Sequence, residues 1–289
     1  MNLLSLALTL TLCATPAAEG DLASEEAAWH ADRIKRLLSE DGWLSLVGLH
    51  WLEEGSHAAG SARTNELVFP PGAPAQLGVF LREGKTVRFT PASGARVLVN
   101  GQPFTGGALK SDATGKPDLA QVGNVRFLVI ERGEKIGVRV KDADAPARAA
   151  FTDIALYPVE ARWRVEARLV PANPPRSIRV PTVLGTVESM PSPGQLVFQL
   201  EGKPFELTAV SEGDDTLFII FGDQTNRDET YGAGRFLYAA APKDGKVVLD
   251  FNRAFNPPCA FSKFATCPLP PPGNRLPLRV LAGEKRYSH

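Results

Sequence analysis

Five times along this chain an apolar run stops at a glycine-bearing turn, and a second apolar run begins within a few residues. Residues 78–81 and 86–90 flank Glu83-Gly84, 97–99 and 102–104 flank Asn100-Gly101, and 125–130 and 136–140 flank Arg132-Gly133-Glu134. Two more pairs follow, 196–200 with 204–207 across Glu201-Gly202 and 236–240 with 247–251 across Lys243-Asp244-Gly245. Glycine supplies the positive φ that tight hairpin turns need, and Asn-Gly is the strongest short-range signal for one. Strands at this spacing predict a mainly β chain of antiparallel sandwich or barrel-like architecture. No strand–helix–strand rhythm is visible, which disfavours a nucleotide-binding fold on a parallel sheet.

One helix precedes the strands. From Glu25 to Ser39, the apolar residues Ala28, Ile34, Leu37 and Leu38 recur at roughly helical spacing among charged neighbours, and Asp41-Gly42 supplies a stop. Leu44, Leu46, His50 and Leu52 then alternate with Trp43, Ser45, Val47, Leu49 and Trp51, predicting a strand that ends at Glu54-Gly55. At 289 residues and 44% hydrophobic content the chain can bury one or two cores. Segments 143–150 and 171–175 are the breaks richest in turn residues. We divide the chain near 160, giving an N-terminal helix plus β-sandwich subdomain over 19–160 and a C-terminal β subdomain over 161–289. Within the first of these, about Ser61 to Val140 is expected to form a small β-sandwich of the general shape of a forkhead-associated domain, a pattern analogy that carries no functional weight.

Residues 1–18 read as a signal peptide. Leu3 to Leu12 is apolar apart from Ser5, Thr9 and Thr11, and leads into the small residues around Ala17 and Ala18, after either of which cleavage is expected. The run falls short of the roughly 20 residues a spanning helix needs, and no later segment reaches that length. Cys13 offers an alternative, lipid attachment, against which Leu12 stands where a small residue is expected. An exported protein, periplasmic or secreted and without a transmembrane segment, is the expectation. Cys259 and Cys267 then remain, an even count that in an exported chain predicts a disulfide pinning a loop. A zinc site or a nucleophilic thiol has less support, since the four histidines (His30, His50, His57, His289) form no motif with them and there is no C-x-x-C.

The chain carries 32 basic and 32 acidic residues, so no global field attracts nucleic acid or an anionic membrane. Chemistry concentrates in the C-terminal half. Residues 215–221 (DTLFIIF) read as a strand buried on both faces that stops abruptly at Gly222 and Asp223. Around that end, Thr225, Tyr231, Arg235, Asn252 and Asn256 are candidates for binding a small molecule or an acidic group, the Arg235 fork suiting a carboxylate or phosphate. Asp223, Glu229, Asp250 and Glu284 are candidate catalytic carboxylates, two of which could flank one pocket in a hydrolase. By alternation Asp250 shares a face with Val248 and is predicted to point inward.

A third reading makes these groups structural, as in an envelope protein. Arg235 then pairs with Asp223 or Asp250 inside the fold, and Asp223, Asn252 and Asn256 bond their own backbone. Whether the protein is an enzyme stays open. No metal or cofactor is expected: the acidic spacing does not match a calcium loop, G-x-S-x-G is absent, and Gly232-Ala233-Gly234 lacks the third glycine and following helix of a dinucleotide site. His50 reads as a partly buried histidine satisfied by a backbone carbonyl, and Trp43, Trp51 and Trp163 as core. Pro268 and Pro270 to Pro272 read as a rigid wall. Protein partners and oligomeric state are not legible.

The segments DGWLSLVGLHWLEEG (41–55), FIIFGDQTNRDETYGAGRFL (218–237) and DFNRAFNPPCAFSKFATCPLPPPGNRLPLRVLAGEKRY (250–287) closely resemble a bacterial domain-of-unknown-function family, number 1684. The likeness runs from about residue 25 to the end. It implies no activity, ligand or cofactor, but it marks Asp223, Thr225, Thr230, Tyr231, Gly234, Arg235, Asp250, Asn252, Asn256, Cys259, Cys267 and Glu284 as signature positions. Phe255 stands where the resemblance implies tyrosine, so any role of that hydroxyl is missing in this chain.

Overall fold

The computed structural model describes residues 17–213 and 215–287, so the predicted leader over 1–18, including Cys13, lies outside the described residues apart from the backbone of 17 and 18. The protein is mostly β, with one N-terminal helix and several antiparallel sheets, and among the described residues no sheet closes into a barrel. The helix spans Ala17–Leu38, beginning eight residues before the predicted start. The predicted strand at 44–52 begins later, at Leu46, because Trp43–Ser45 forms a 3-10 turn. No helix among the described residues is long and apolar enough to cross a membrane.

Residues 46–142 build a sandwich. A six-stranded sheet contains, side by side, Leu46–Leu52, Lys135–Asp142 and Val125–Arg132, and a five-stranded sheet is centred on Gly55–Gly60, Gly78–Glu83 and Thr86–Pro91. Their facing residues form one core that includes Ala59, Phe80, Phe89, Phe127 and Val138. The Phe127 ring meets Phe69, Phe80 and Phe89 edge-on at 5.3–5.6 Å between centroids, the quadrupole-favoured arrangement. His50 stacks on Phe69 at the edge of this core, and its predicted backbone partner is Val68.

A second core draws on residues 163–282, with Trp163, Phe198, Phe221 and Phe251 among its buried members. It lies under a four-stranded sheet ordered Lys203–Ala209, Val187–Leu200, Arg164–Pro181 and Lys246–Asp250, and under the hairpin of Thr216–Phe221 with Arg235–Ala240. The run 217–221 is buried throughout, as its continuous apolar character predicts. Four of the five predicted hairpins form where the turn residues place them.

The fifth does not. Arg235–Ala240 pairs with Thr216–Phe221, whereas Lys246–Asp250 pairs with residues 164–168. Pro242 lies between them without an N–H for a ladder, and the chain changes sheets there. The same geometry corrects the facing of Val248, which is 58% exposed while Val247 and Leu249 are buried. Asp250 is nonetheless buried, because Arg164 covers the strand end.

The N-terminal helix reaches both halves. Leu37 packs with Leu44, Phe151, Ile154 and Phe261. Arg33 crosses to Glu284 at 3.0 Å, and Glu26 accepts from Arg164 and Arg253 at 2.9 Å each.

Candidate functional site

Except for Glu229 and Tyr231, the polar residues singled out at the strand ends lie in three internal networks. In the first, the Arg235 Nη2 donates to Asp223 Oδ2 at 2.8 Å and to the Val280 carbonyl at 2.9 Å, while Nη1 donates to the carbonyls of Ala282 and Glu284. The Phe221 ring lies 5.5 Å from the guanidinium carbon. Asp223 Oδ1 accepts from the Thr225 amide at 2.8 Å and hydroxyl at 2.6 Å, and the Thr225 and Thr230 hydroxyls are 2.8 Å apart. This is an Asx-type turn that satisfies its own backbone. Arg235 is 0% exposed and its partners all belong to this chain.

In the second, Glu284 is fully buried between Arg33 Nε, 3.0 Å from Oε1, and the Asn256 amide, 2.6 Å from Oε2. The Asn256 side chain donates to the Lys285 carbonyl at 2.8 Å. In the third, Asp250 accepts from Arg164 Nε at 2.5 Å and from the backbone and side chain of Asn252 at 3.0 and 2.9 Å. Glu229 stands apart, accepting from the Tyr157 hydroxyl at 2.8 Å and paired with Arg279. Each candidate carboxylate therefore has an arginine of its own, and the structure brings no two of them into one ion pair or hydrogen bond. Tyr231 is half-buried beside the Phe261 cluster, where burial pushes its hydroxyl pKa up.

The open space lies elsewhere. A cleft of about 840 Å³ runs between the N-terminal helix, the outer face of the six-stranded sheet, the 216–221/235–240 hairpin and the segment 253–268. The strand Lys135–Asp142 turns Ile136, Val138 and Val140 into the sandwich and Arg139 the other way, into this cleft. Arg139 is only 7% exposed. Its Nη2 donates to Thr266 Oγ1 at 3.0 Å, its guanidinium carbon sits 5.5 Å from the Trp43 ring centre, and its Nε is buried without a partner. Among the described residues no carboxylate pairs with it.

Arg132 donates to the same Thr266 oxygen at 3.1 Å, and its own charge is met by Asp112 at 2.8 Å. Burial first, and then the positive charge of Arg132, bring the Arg139 pKa down to about 10, partly offset by Asp112. A buried guanidinium with a donor to spare and no carboxylate bonded to it is chemically suited to accept an anion.

Thr266 is held in place by its neighbour. The sulfur atoms of Cys259 and Cys267 are in contact, with Cα atoms 6.2 Å apart, and the Cys259 amide points at the Cys267 sulfur at 3.1 Å. Pro268 lines the cleft beside them, and Pro270 packs against Gly234. Trp43, expected in a core, is half-buried on the cleft wall, whereas Trp163 is 1% exposed. No group of three or more His, Cys, Asp or Glu gathers for a metal among the described residues.

Sequence reasoning misses Arg139, Arg132 and Thr266. In KIGVRVKD (135–142) the arginine occupies an ordinary outward position of an alternating strand, and no local signal separates it from a solvated one. Only the folding of residue 266 over that face, 127 positions away, encloses it.

Residues 149–285 match the model of a family described as "Protein of unknown function (DUF1684)". The match starts well after residue 25, and the 41–55 motif lies outside it. Among solved structures, the NMR structure of the uncharacterized protein from gene locus rrnAC0354 of Haloarcula marismortui is 30% identical, covering 48% of this chain and 79% of that one at a TM-score of 0.41. Two structures of forkhead-associated (FHA) domains, one studied for phosphothreonine-dependent interactions and one from Rv0020c, are each 15% identical over 32% of this chain. They cover 92% and 88% of their own chains at TM-scores of 0.23, too low to carry an argument. No curated protein matches the chain.

Proposed function

The chain belongs to the DUF1684 family, and from that premise we propose that it is a binding protein whose cleft takes an anionic group at Arg139. The observation that carries this reading is the enclosure of the Arg139 guanidinium without a carboxylate partner, on the wall of an 840 Å³ cleft. Thr266, which also accepts from Arg132, holds that guanidinium in one orientation, which lowers the ordering cost of capturing a ligand. The strand-end residues proposed from sequence to touch a ligand, Arg235 foremost, become the scaffold behind this cleft. A carboxylate-pair hydrolase gains nothing from the geometry, since Asp223, Glu229, Asp250 and Glu284 are each committed to a separate cation.

The same reading has the protein exported after loss of a leader near residue 17 or 18, with Cys259 and Cys267 joined as a disulfide that fixes the Thr266 segment. The apolar run Leu3 to Leu12 and the juxtaposed sulfurs support it. Division into two β subdomains near residue 160 is supported by two cores that draw separately on residues 52–140 and 163–282.

The test is calorimetric titration of the full chain and its Arg139→Met variant with acetate, sulfate and inorganic phosphate. The wild type is expected to bind at least one of these anions, and the variant none. Absence of Arg139-dependent binding of any anion overturns the proposal.

A further inference from the structure

Resting on that anion-binding reading, we infer that the natural ligand class is an aromatic or similarly flat apolar monocarboxylic acid, with its carboxylate at Arg139 and its body along the ring-lined wall of the cleft. Three observations meet here. The first is the size of the charge. Arg33, Arg132 and Arg253 also line the cleft, but they are matched by Glu284, Asp112 and Glu26. Arg139 is thus the one enclosed guanidinium there without a carboxylate among the described residues, and the uncommitted Arg36 is at the exposed rim. One enclosed positive charge neutralises a monoanion, whereas a dianion would leave a negative charge without a partner away from water. A planar carboxylate also matches the guanidinium fork.

The second is the wall. The Phe218 and Tyr238 rings stack at 4.8 Å and 21°, Tyr238 and Phe255 at 5.8 Å and 16°, and the Arg33 guanidinium caps Phe255 at 4.6 Å. Trp29 and Trp43 line the same cleft. Tyr238, 44% exposed, lines the cleft together with Phe218 and Phe255. Of the acidic groups on the cleft, Glu212 accepts from the Tyr238 hydroxyl on the wall itself at 2.6 Å, and Asp41 pairs with Arg126 at 3.3 Å. The third is volume. About 840 Å³ far exceeds what a bare inorganic anion fills and falls within the range of pockets that enclose organic ligands.

The experiment compares 2-naphthoate, 2-naphthalenemethanol and acetate by calorimetric titration of the full chain, its Tyr238→Ala variant and its Arg139→Met variant. Naphthoate is expected to bind at least about tenfold more tightly than acetate, and at least about tenfold more tightly than the uncharged alcohol. Tyr238→Ala should weaken naphthoate about fivefold and leave acetate unchanged, the latter showing that the variant is folded. Arg139→Met should abolish binding of both acids. If acetate and naphthoate bind equally and both need Arg139, the aromatic-acid assignment falls while the anion-binding reading stands. Should naphthoate and the alcohol bind alike and ignore the loss of Arg139, both fall together.

Discussion

The Arg235 guanidinium meets the Asp223 carboxylate at 2.8 Å, and neither side chain has any surface in contact with solvent. Both charges have left water, so their mutual attraction and the surrounding carbonyls must offset a large desolvation cost. Removing either partner strands the other. Arg235→Met or Asp223→Ala alone is expected to cost about 3–5 kcal/mol of unfolding free energy in a denaturant titration, with the double variant less destabilised than the sum of the singles. Additive losses would show that the two charges do not stabilise each other.

Arg139 should behave in the opposite way. Its buried charge has no carboxylate to lose, so Arg139→Met is expected to leave stability unchanged or raise it by about 1–3 kcal/mol while abolishing anion binding. Because burial and the Arg132 charge bring the guanidinium pKa down to about 10, anion affinity in the wild type should also fall as pH rises through that value. A variant that melts well below the wild type would give Arg139 a structural role instead.

His57 couples the sandwich to pH. Its Nδ1 lies 2.7 Å from Glu66 Oε1 and its Nε2 2.8 Å from the Glu53 carbonyl, so both nitrogens face acceptors and only the imidazolium donates to both. Burial works against the charge, but the two hydrogen bonds and the Glu66 and Glu53 charges outweigh it, and the pKa is raised above 6.5. A raised folded-state value means that the stabilisation is complete below pH 6.5 and disappears as pH climbs through the folded pKa. Unfolding titrations of the wild type and His57→Gln should therefore converge with rising pH; a gap that stays constant or widens would refute the assignment.

The sulfurs of Cys259 and Cys267 close a short loop eight residues apart. Read as a disulfide, this crosslink should contribute about 2–3 kcal/mol by restricting the unfolded chain. Mass spectrometry of denatured, non-reduced protein from the exported fraction should show two hydrogens fewer than the reduced form, and a cut after residue 17 or 18. An unshifted mass would leave two thiols beside the cleft.

Gly234 sits at φ +105°, and a Cβ there would come within 2.5 Å of the Phe221 carbonyl oxygen and 2.7 Å of Pro270 Cγ. Gly234→Ala should cost about 1–3 kcal/mol, since both the backbone conformation and the proline wall resist a side chain. An unchanged melting temperature would mean that the wall yields freely.

What sequence reveals about this fold follows the range of the physics involved. Asn100 and Gly101, at φ 51° and 79°, and Glu201 and Gly202, at 51° and 74°, form hairpin turns from conformations that are local properties of those residues. The pairing of Lys246–Asp250 with residues 164–168 depends on which distant strand offers an open edge, and Lys243-Asp244-Gly245 says nothing about that. The site divides similarly. Residue types alone mark Asp223, Arg235, Asp250, Asn252, Asn256 and Glu284 as unusual, and they are indeed buried polar groups. The arginine that each carboxylate finds, and the absence of a carboxylate partner for Arg139, is decided by contacts 12 to 251 positions apart.

Arg33 and Glu284 also fix an order of events. A ribosome completes the helix carrying Arg33 some 251 residues before its counter-charge is made. Each β core can gather from its own stretch of chain during that interval, but the helix stays unmoored at this point while the second core forms. The cleft has the helix as one wall, so that wall gains this anchor only after Glu284 has been made.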